Sequence, residues 1–134
     1  MEISSIPVGL DTVNTPEEAA HVFAPIRKHA QETMLALVTD KDGKILNLIR
    51  HTKGHKASSL VSPLEVIGAI AATENAANVW FAHNHPSGNL KPSEQDKMLT
   101  KRLVEAGKIL QISVTDHLII GNGAYFSFAD EGRL

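Results

Sequence analysis

Apolar positions change their period several times along this chain, and each change marks a new element. Ala19, Val22, Phe23, Ile26 and Ala30 recur at helical spacing after Thr15-Pro16-Glu17-Glu18. Thr15 serves as a cap, Pro16 suits the first helical position, and Glu18 completes a capping box. Pro25 inside this pattern predicts a kink or an early break. Thr33 to Thr39 is an apolar run of strand length, Asp40-Lys41-Asp42-Gly43 has turn chemistry, and Lys44 to Lys53 continues as the second strand of a hairpin. The polar stretch from His51 to Ser59 is expected to leave as a loop ending in a short strand.

Ser62-Pro63-Leu64-Glu65 is a second capping box, and Leu64, Ile67, Ile70 and Ala71 give the buried stripe of the helix it opens. Asn78 to Ala82 reads as a buried strand that ends at a histidine pair, and Pro86 to Pro92 as a loop. Ser93 opens a third helix, with Leu99, Leu103 and Ala106 on one face and Gly107 as its C-terminal stop. Leu110, Ile112, Val114, Leu118 and Ile120 alternate as a long strand. Gly121-Asn122-Gly123 then turns into a last strand, Ala124 to Phe128. Met1 to Asn14, with Pro7 and Gly9, forms a short strand or an arm. The order helix, hairpin, helix, strand, helix, strand, strand predicts a mixed α/β layer structure. No internal repeat or linker interrupts it, so a single domain over residues 1–134 is expected.

A chain of 134 residues with 43% hydrophobic content can build one sizeable core. The formal net charge of −2 argues against a strongly electrostatic nucleic-acid binder. Lys97, Lys101, Arg102 and Lys108 lie close in sequence and read as a solvated helix face. There are no cysteines, which excludes disulfide scaffolds, thiolate zinc sites and thiol nucleophiles. The Pro-Cys-x-x-Cys pattern of zinc deaminases is absent for the same reason. Any metal must therefore be held by nitrogen and oxygen. No signal segment precedes the first helix and no apolar run approaches a membrane span, so a cytoplasmic protein without membrane contact is expected. Neither Gly-x-Gly-x-x-Gly nor a phosphate loop occurs.

The candidate chemistry lies in His83-Asn84-His85-Pro86-Ser87-Gly88, followed by Ser93 and Asp96. His83 and His85, two apart at a strand end, point to the same face and can reach one ion at about 2 Å. Asp96 falls in the first turn of the third helix, and the Pro- and Gly-rich loop before it can fold back. Two imidazoles and one carboxylate leave a fourth tetrahedral position for water, an arrangement of catalytic rather than structural zinc sites. Ser93 and Asp96 also fit a plain N-cap and capping box, since Ser-x-x-Asp has the right spacing. The joint order His-x-His, seven residues, Ser, two residues, Asp favours a site, because chance seldom supplies all four positions.

This stretch resembles the JAMM motif of the JAB/MPN metalloprotease superfamily and, more closely, the RadC family. Leu103-Val104-Glu105-Ala106-Gly107 and Asp116-His117-Leu118-Ile119-Ile120-Gly121 share that resemblance, which runs from about Thr15 to Leu134. It implies a JAB/MPN-like (cytidine-deaminase-like) mixed β-sheet flanked by helices, a Zn2+ cofactor, and a peptide or protein substrate. It also selects Glu32, immediately before Thr33-Met34-Leu35-Ala36-Leu37, as general base; spacing alone leaves Glu32 a solvated helix-end carboxylate. In the implied reaction His83, His85 and Asp96 hold the metal, Glu32 moves the proton, and the Ser93 hydroxyl stabilises the oxyanion. Two departures stand out. Asn84 occupies the place of the Ser or Thr of deubiquitinating members, although RadC-like chains share the asparagine. Ser62-Pro63-Leu64-Glu65 stands where RadC-like chains usually read His-Pro-Arg-Glu. The helix-hairpin-helix-type region of longer members is not in this sequence.

Metal-bound histidines usually donate their second N–H to an oxygen. Asp116 is a candidate acceptor if strand alternation buries it with Val114 and Leu118; a bulge would turn it outward, and both readings stay open. His117 points the other way on that alternation and is left out of the site. His21, His29, His51 and His55 fit no ligand spacing and are expected at the surface. The competing function is a non-catalytic module with a vestigial metal in a DNA repair or recombination assembly, which the family's name implies. The acidic balance argues against DNA binding by this domain alone. A third function, a nuclease suggested by the letters His-Asn-His, lacks the longer ββα segment such enzymes use.

Overall fold

The computed structural model describes residues 2–3, 10–53 and 62–134. Its elements are β1 (Glu2–Ile3), α1 (Pro16–Phe23) continued by a 3-10 turn (Ala24–Lys28), β2 (Thr33–Thr39), β3 (Ile45–Lys53), α2 (Pro63–Ala71), β4 (Asn78–Asn84), α3 (Glu94–Leu110), β5 (Ser113–Ile120) and β6 (Tyr125–Ser127). The strands form one six-stranded sheet in the order β1-β3-β2-β4-β5-β6. Among the described strands only β4 and β5 pair in parallel, and α3 is the crossover that their parallel pairing requires. This is the mixed α/β architecture expected from the sequence, of the JAB/MPN type.

Local chemistry sets the helix starts. Thr15 Oγ1 accepts from Glu18 N at 3.2 Å and Ser62 Oγ accepts from Glu65 N at 3.2 Å. The carboxylate of Glu18 reaches back to Asn14 N at 3.0 Å, one residue before the cap. Pro25 ends α1 as expected: the chain tightens into the 3-10 turn because proline cannot donate to the helix ladder.

The sheet is covered on both faces. One core packs Met34, Ala36, Val38, Val79 and Phe81 against Ile67 and Ile70 of α2 and Leu99, Leu103 and Ala106 of α3. The other packs Leu35, Leu37, Trp80, Ala82, Leu118 and Ile120 against Ala19, Val22 and Phe23 of α1. Every residue of β2 is buried, as a central strand enclosed on both sides must be.

Several expectations need correction. His51 to Lys53 complete β3, as the strand read from Lys44 to Lys53 requires, and so do not begin the loop read from His51; the rest of that stretch lies outside the described residues. Leu64 is 51% exposed and does not join the α2 stripe. The last strand is shorter than expected, Tyr125–Ser127. Gly107 does not stop α3, and Leu110 belongs to that helix rather than to β5. The helix instead ends at Gln111, which takes the left-handed conformation at φ 59°.

Gly107 has a different task. A Cβ there would sit 2.4 Å from the Ile112 carbonyl oxygen and 3.1 Å from Val114 Cγ2. The bare glycine lets the chain fold back from α3 into β5 at this distance. Gly107→Ala should therefore destabilise the fold by about 1–3 kcal/mol, the usual cost of forcing a backbone shift in a packed core. Urea denaturation measures it; an increase in stability, as better helix propensity alone would give, would contradict this packing.

The register of β5 contains one irregularity with functional weight. Val79 pairs with Val114, but the next residue, Trp80, pairs with Asp116. Thr115 is thus the extra residue of a bulge. A one-residue slip exchanges the faces of everything beyond it. Val114 packs toward α2 and α3, whereas Leu118 and Ile120 pack toward α1.

Candidate metal centre

The end of β4 and the start of α3 meet at one point. His83 is fully buried inside β4, His85 is half-buried just past the strand, and Asp96 is buried in the first turn of α3. The connecting loop folds back through Gly88 at φ 81°, whose N–H donates to the His85 carbonyl at 2.8 Å. Ser93 opens α3 with a full capping box: Ser93 Oγ accepts from Asp96 N, and Ser93 N donates to Asp96 Oδ2, each at 3.0 Å. The cap and the site are therefore the same structure. The hydrogen bond that starts the helix also aims the Asp96 carboxylate at the histidines.

His83 Nε2 lies 3.0 Å from His85 Nε2 and 3.4 Å from Asp96 Oδ1, and His85 Nε2 lies 3.2 Å from Asp96 Oδ2. Among the described residues these three form a group that could hold a metal ion, with ligand atoms mutually within 4.8 Å. Tetrahedral zinc with ligands at about 2.0–2.1 Å would separate neighbouring ligand atoms by roughly 3.3 Å. The observed spacings bracket that value.

Proton placement supports the same fit. His85 Nδ1 lies 2.7 Å from the Asn89 carbonyl oxygen, which can only accept, so Nδ1 carries the proton. His83 Nδ1 lies 2.8 Å from His117 Nε2, and His117 Nδ1 lies 2.7 Å from Thr100 Oγ1. Thr100 Oγ1 donates its single proton to the Asp96 main-chain carbonyl at 2.8 Å. It must then accept from His117 Nδ1–H. Burial holds His117 neutral by pushing its pKa well below the usual imidazole value, so its Nε2 accepts from His83 Nδ1–H. The outward nitrogens of both His83 and His85 are thus committed as donors. Their Nε2 lone pairs face each other and a carboxylate, an arrangement that repels unless a cation enters.

The ionisation of the acid and of His85 follows. Burial pushes the Asp96 carboxyl up, but its hydrogen bonds with His83 and His85 outweigh this and hold it well below the carboxylate range. The hydrogen bond that His85 makes to the Asp96 carboxylate raises it above its ordinary value, against the opposing effect of burial, and Glu32 contributes a smaller push in the same direction. A proton and a metal ion compete for this one place.

Glu32 is half-buried and precedes β2 by one residue. Met34 pairs with His83 across the β2–β4 ladder, so Glu32 is level with His85. The segment around it is held by Asn84. Asn84 Oδ1 accepts from Thr33 N at 2.6 Å, and Nδ2 donates to the carbonyls of His29 at 3.2 Å and Gln31 at 3.1 Å. One buried amide thus clamps the chain on both sides of Glu32. The asparagine between the two histidines was visible in the sequence, but its role depends on a strand pairing that no local pattern encodes.

Two histidines and one aspartate behave differently from the sequence expectation. Asp116 is buried, but it does not support the metal histidines. It accepts from His117 N at 2.7 Å, Ala129 N at 2.9 Å and the Ser127 hydroxyl, and ties the chain end to β5. Burial raises its carboxyl, and these bonds oppose the shift. His117, set aside in the sequence analysis, is the residue that contacts His83. The bulge at Thr115 is the reason, since it turns Asp116 toward α1 and His117 toward Phe81 and His83. His51 is not a surface residue either: its Nε2 is buried without a hydrogen-bond partner among the described residues, and burial lowers it to about 4. His29 is half-buried with Nδ1 3.0 Å from Thr33 Oγ1, His21 is exposed, and His55 lies outside the described residues. Lys101, Arg102 and Lys108 are exposed, with Lys97 paired to Glu94 at 2.9 Å, so this basic group is the solvated helix face expected.

His117→Phe keeps an aromatic ring beside Phe128, now 5.2 Å away in a stacked arrangement, and removes the acceptor for His83 Nδ1–H. Zinc affinity should fall by about 10–100-fold, the usual effect of losing a partner of a metal-bound histidine. Competition with a chromogenic chelator measures it, and an unchanged affinity would exclude His117 from this role.

The fold and the His-His-Asp cluster at the end of β4 define a JAB/MPN-type domain. The family model described as RadC-like JAB domain matches residues 13–133. The chain belongs to this RadC-like family. Among curated relatives, a UPF0758 protein of Trichlorobacter lovleyi is 43% identical over 129 residues, covering 93% of this chain and 56% of that protein. A UPF0758 protein of Syntrophotalea carbinolica is 38% identical over 125 residues, 92% of this chain and 55% of its own length. One from the archaeon Methanosarcina mazei is 39% identical over 121 residues, 90% and 52% respectively. The chain thus spans about half the length of the curated relatives it matches. Among the described residues no helix is long and apolar enough to cross a membrane.

Proposed function

We propose that this chain is a zinc-dependent hydrolase of amide bonds, similar to a metallopeptidase or isopeptidase. The observation that carries this reading is the convergence of the His83 and His85 Nε2 atoms and the Asp96 carboxylate at 3.0–3.4 Å from one another beside an open groove. His85 forms part of the wall of that groove, so the centre is reachable by a substrate. Bound Zn2+ would supply a water acidified toward ~7 and a Lewis acid for the substrate carbonyl.

The protein's own residues do the rest. His83, His85 and Asp96 hold the ion and leave one side open. Glu32, level with His85, takes a proton from the attacking water and delivers it to the leaving amine. Ser93 Oγ already accepts from Asp96 N, so its own proton is available to the oxyanion that develops on the carbonyl. Asn84 keeps the Glu32 segment in register with the metal histidines.

Metal content by mass spectrometry, combined with a peptide-library cleavage screen, tests the reading. One zinc per chain and metal-dependent cleavage of library members are expected. Stoichiometric zinc with no cleavage of any peptide would overturn the hydrolase reading in favour of a metal-holding module.

A further inference from the structure

Beside the metal centre lies a groove of about 550 Å3, lined by Arg27, Lys28, His85, Pro86, Ser87, Gly88 and Asn122. Its wall contains two full positive charges and no carboxylate. Both cations come from the end of the 3-10 turn, where Pro25 has broken α1 and swung the chain toward the β4 end. Arg27 donates one N–H to the Ala24 carbonyl at 3.1 Å, which anchors the guanidinium and leaves its other donors uncommitted. Neither Arg27 nor Lys28 meets a carboxylate at ion-pair distance among the described residues. Two unpaired cations lining one concave surface next to a reaction centre form an anion site.

We propose that this groove binds a carboxylate of the substrate chain, positioned within about three residues of the scissile amide. This rests on the amide-hydrolase reading above and names the class of substrate it takes. A groove of this volume spans on the order of 10 Å, or three extended residues. The carboxylate belongs either to an acidic side chain or to the substrate's own C-terminus; both present the same planar acceptor to Arg27. His85 is common to both sites: its Nε2 lies 3.2 Å from Asp96 Oδ2, and it shares the groove wall with Arg27 and Lys28. A peptide is therefore aligned by charge, its carbonyl at the metal and its anion at the 3-10 turn. Arg27 and Asn122 also line a second depression of about 490 Å3 with Glu17, His21 and Tyr125. The surface thus continues beyond the anion site, as a polypeptide requires, and its acidic Glu17 confines the anion to the His85 side. Two cations on a chain of net charge −2 are too few for the run of phosphate contacts that DNA binding needs.

The test is binding to the zinc-loaded protein, read by NMR shifts of the Arg27, Lys28, Ser87, Gly88 and Asn122 amides. Three peptide sets are compared: internal Asp or Glu with an amidated C-terminus, neutral with a free C-terminus, and neutral with an amidated C-terminus. One or both carboxylate sets should bind about tenfold tighter than the fully neutral set, and which of them does so identifies the source. In the Arg27→Gln/Lys28→Gln protein that advantage should fall below about twofold at unchanged zinc content. Equal binding of all three sets, absence of shifts with any of them, or an advantage that survives in the double variant overturns the proposal. So does duplex DNA that shifts these amides at lower concentration than the acidic peptides. Carboxylate-selective binding without cleavage would sink the hydrolase reading alone; cleavage without carboxylate selectivity would sink this one alone.

Discussion

Glu32→Gln should leave zinc stoichiometry unchanged and reduce turnover of a cleaved peptide by roughly a thousandfold, the middle of the range for loss of a general base. The substitution keeps the size of the side chain and the capacity to accept a hydrogen bond, but an amide takes no proton at neutral pH. The position is well determined by the backbone. Met34 is opposite His83 in the antiparallel ladder, and two residues earlier the chain reaches Glu32. Asn84 holds the carbonyls of His29 and Gln31 and the N–H of Thr33, so the Gln side chain starts from the same backbone. Glu32 is not among the groups that could ligate the ion, which is why zinc content should not follow activity. Turnover within tenfold of the unsubstituted protein would remove Glu32 from the proton-transfer role. Loss of zinc in parallel with activity would move it to the metal instead.

What the sequence discloses is local, and what it hides depends on pairing. The N-caps at Thr15 and Ser62, the proline break in α1 and the hairpin turn at Asp40–Gly43 each rest on a few neighbouring residues and form as read. Among the described residues the carboxylate half of the first two capping boxes does not: the Glu18 carboxylate accepts from Asn14 N instead, and the complete box is the one at Ser93 and Asp96. The convergence of His83, His85 and Asp96 was legible because the His-x-His spacing and the Ser-x-x-Asp cap each constrain a short segment, and a Gly-containing loop joins them. The resemblance to RadC proteins supplied Glu32, which the residues alone left ambiguous. Asp116 stayed open between two readings, and His117 was set aside, for one reason. Strict alternation through β5 assigns Asp116 to the metal face, and the bulge at Thr115 that reverses this arises from register against β4. Gly107 was misread similarly, as a stop signal, because the close approach of Ile112 is a tertiary event. His51 looked superficial because it stands in a polar stretch, yet its ring lies 6.3 Å from that of the buried Phe81.

Asp96 caps α3 and is proposed to hold the ion as well, and its substitution can separate the two roles. Its carboxylate caps α3 through Ser93 N and faces both histidines from its two oxygens, Oδ1 toward His83 and Oδ2 toward His85. Asp96→Ala should lose both functions. Zinc binding should weaken by more than the ~100-fold typical of losing an outer partner, and the helix start should lose about 1 kcal/mol of capping. Asp96→Asn retains an acceptor oxygen for Ser93 N, so the cap and thermal stability of the metal-free protein should stay close to the original. Its neutral amide nevertheless removes the anionic ligand between the two Nε2 atoms, and zinc affinity should fall nearly as far as in Asp96→Ala. Chelator competition and thermal melting of the metal-free proteins give the two readouts independently. Wild-type zinc affinity in Asp96→Asn would show that the carboxylate caps the helix without holding the ion, and the cluster would reduce to a histidine pair beside an ordinary helix start.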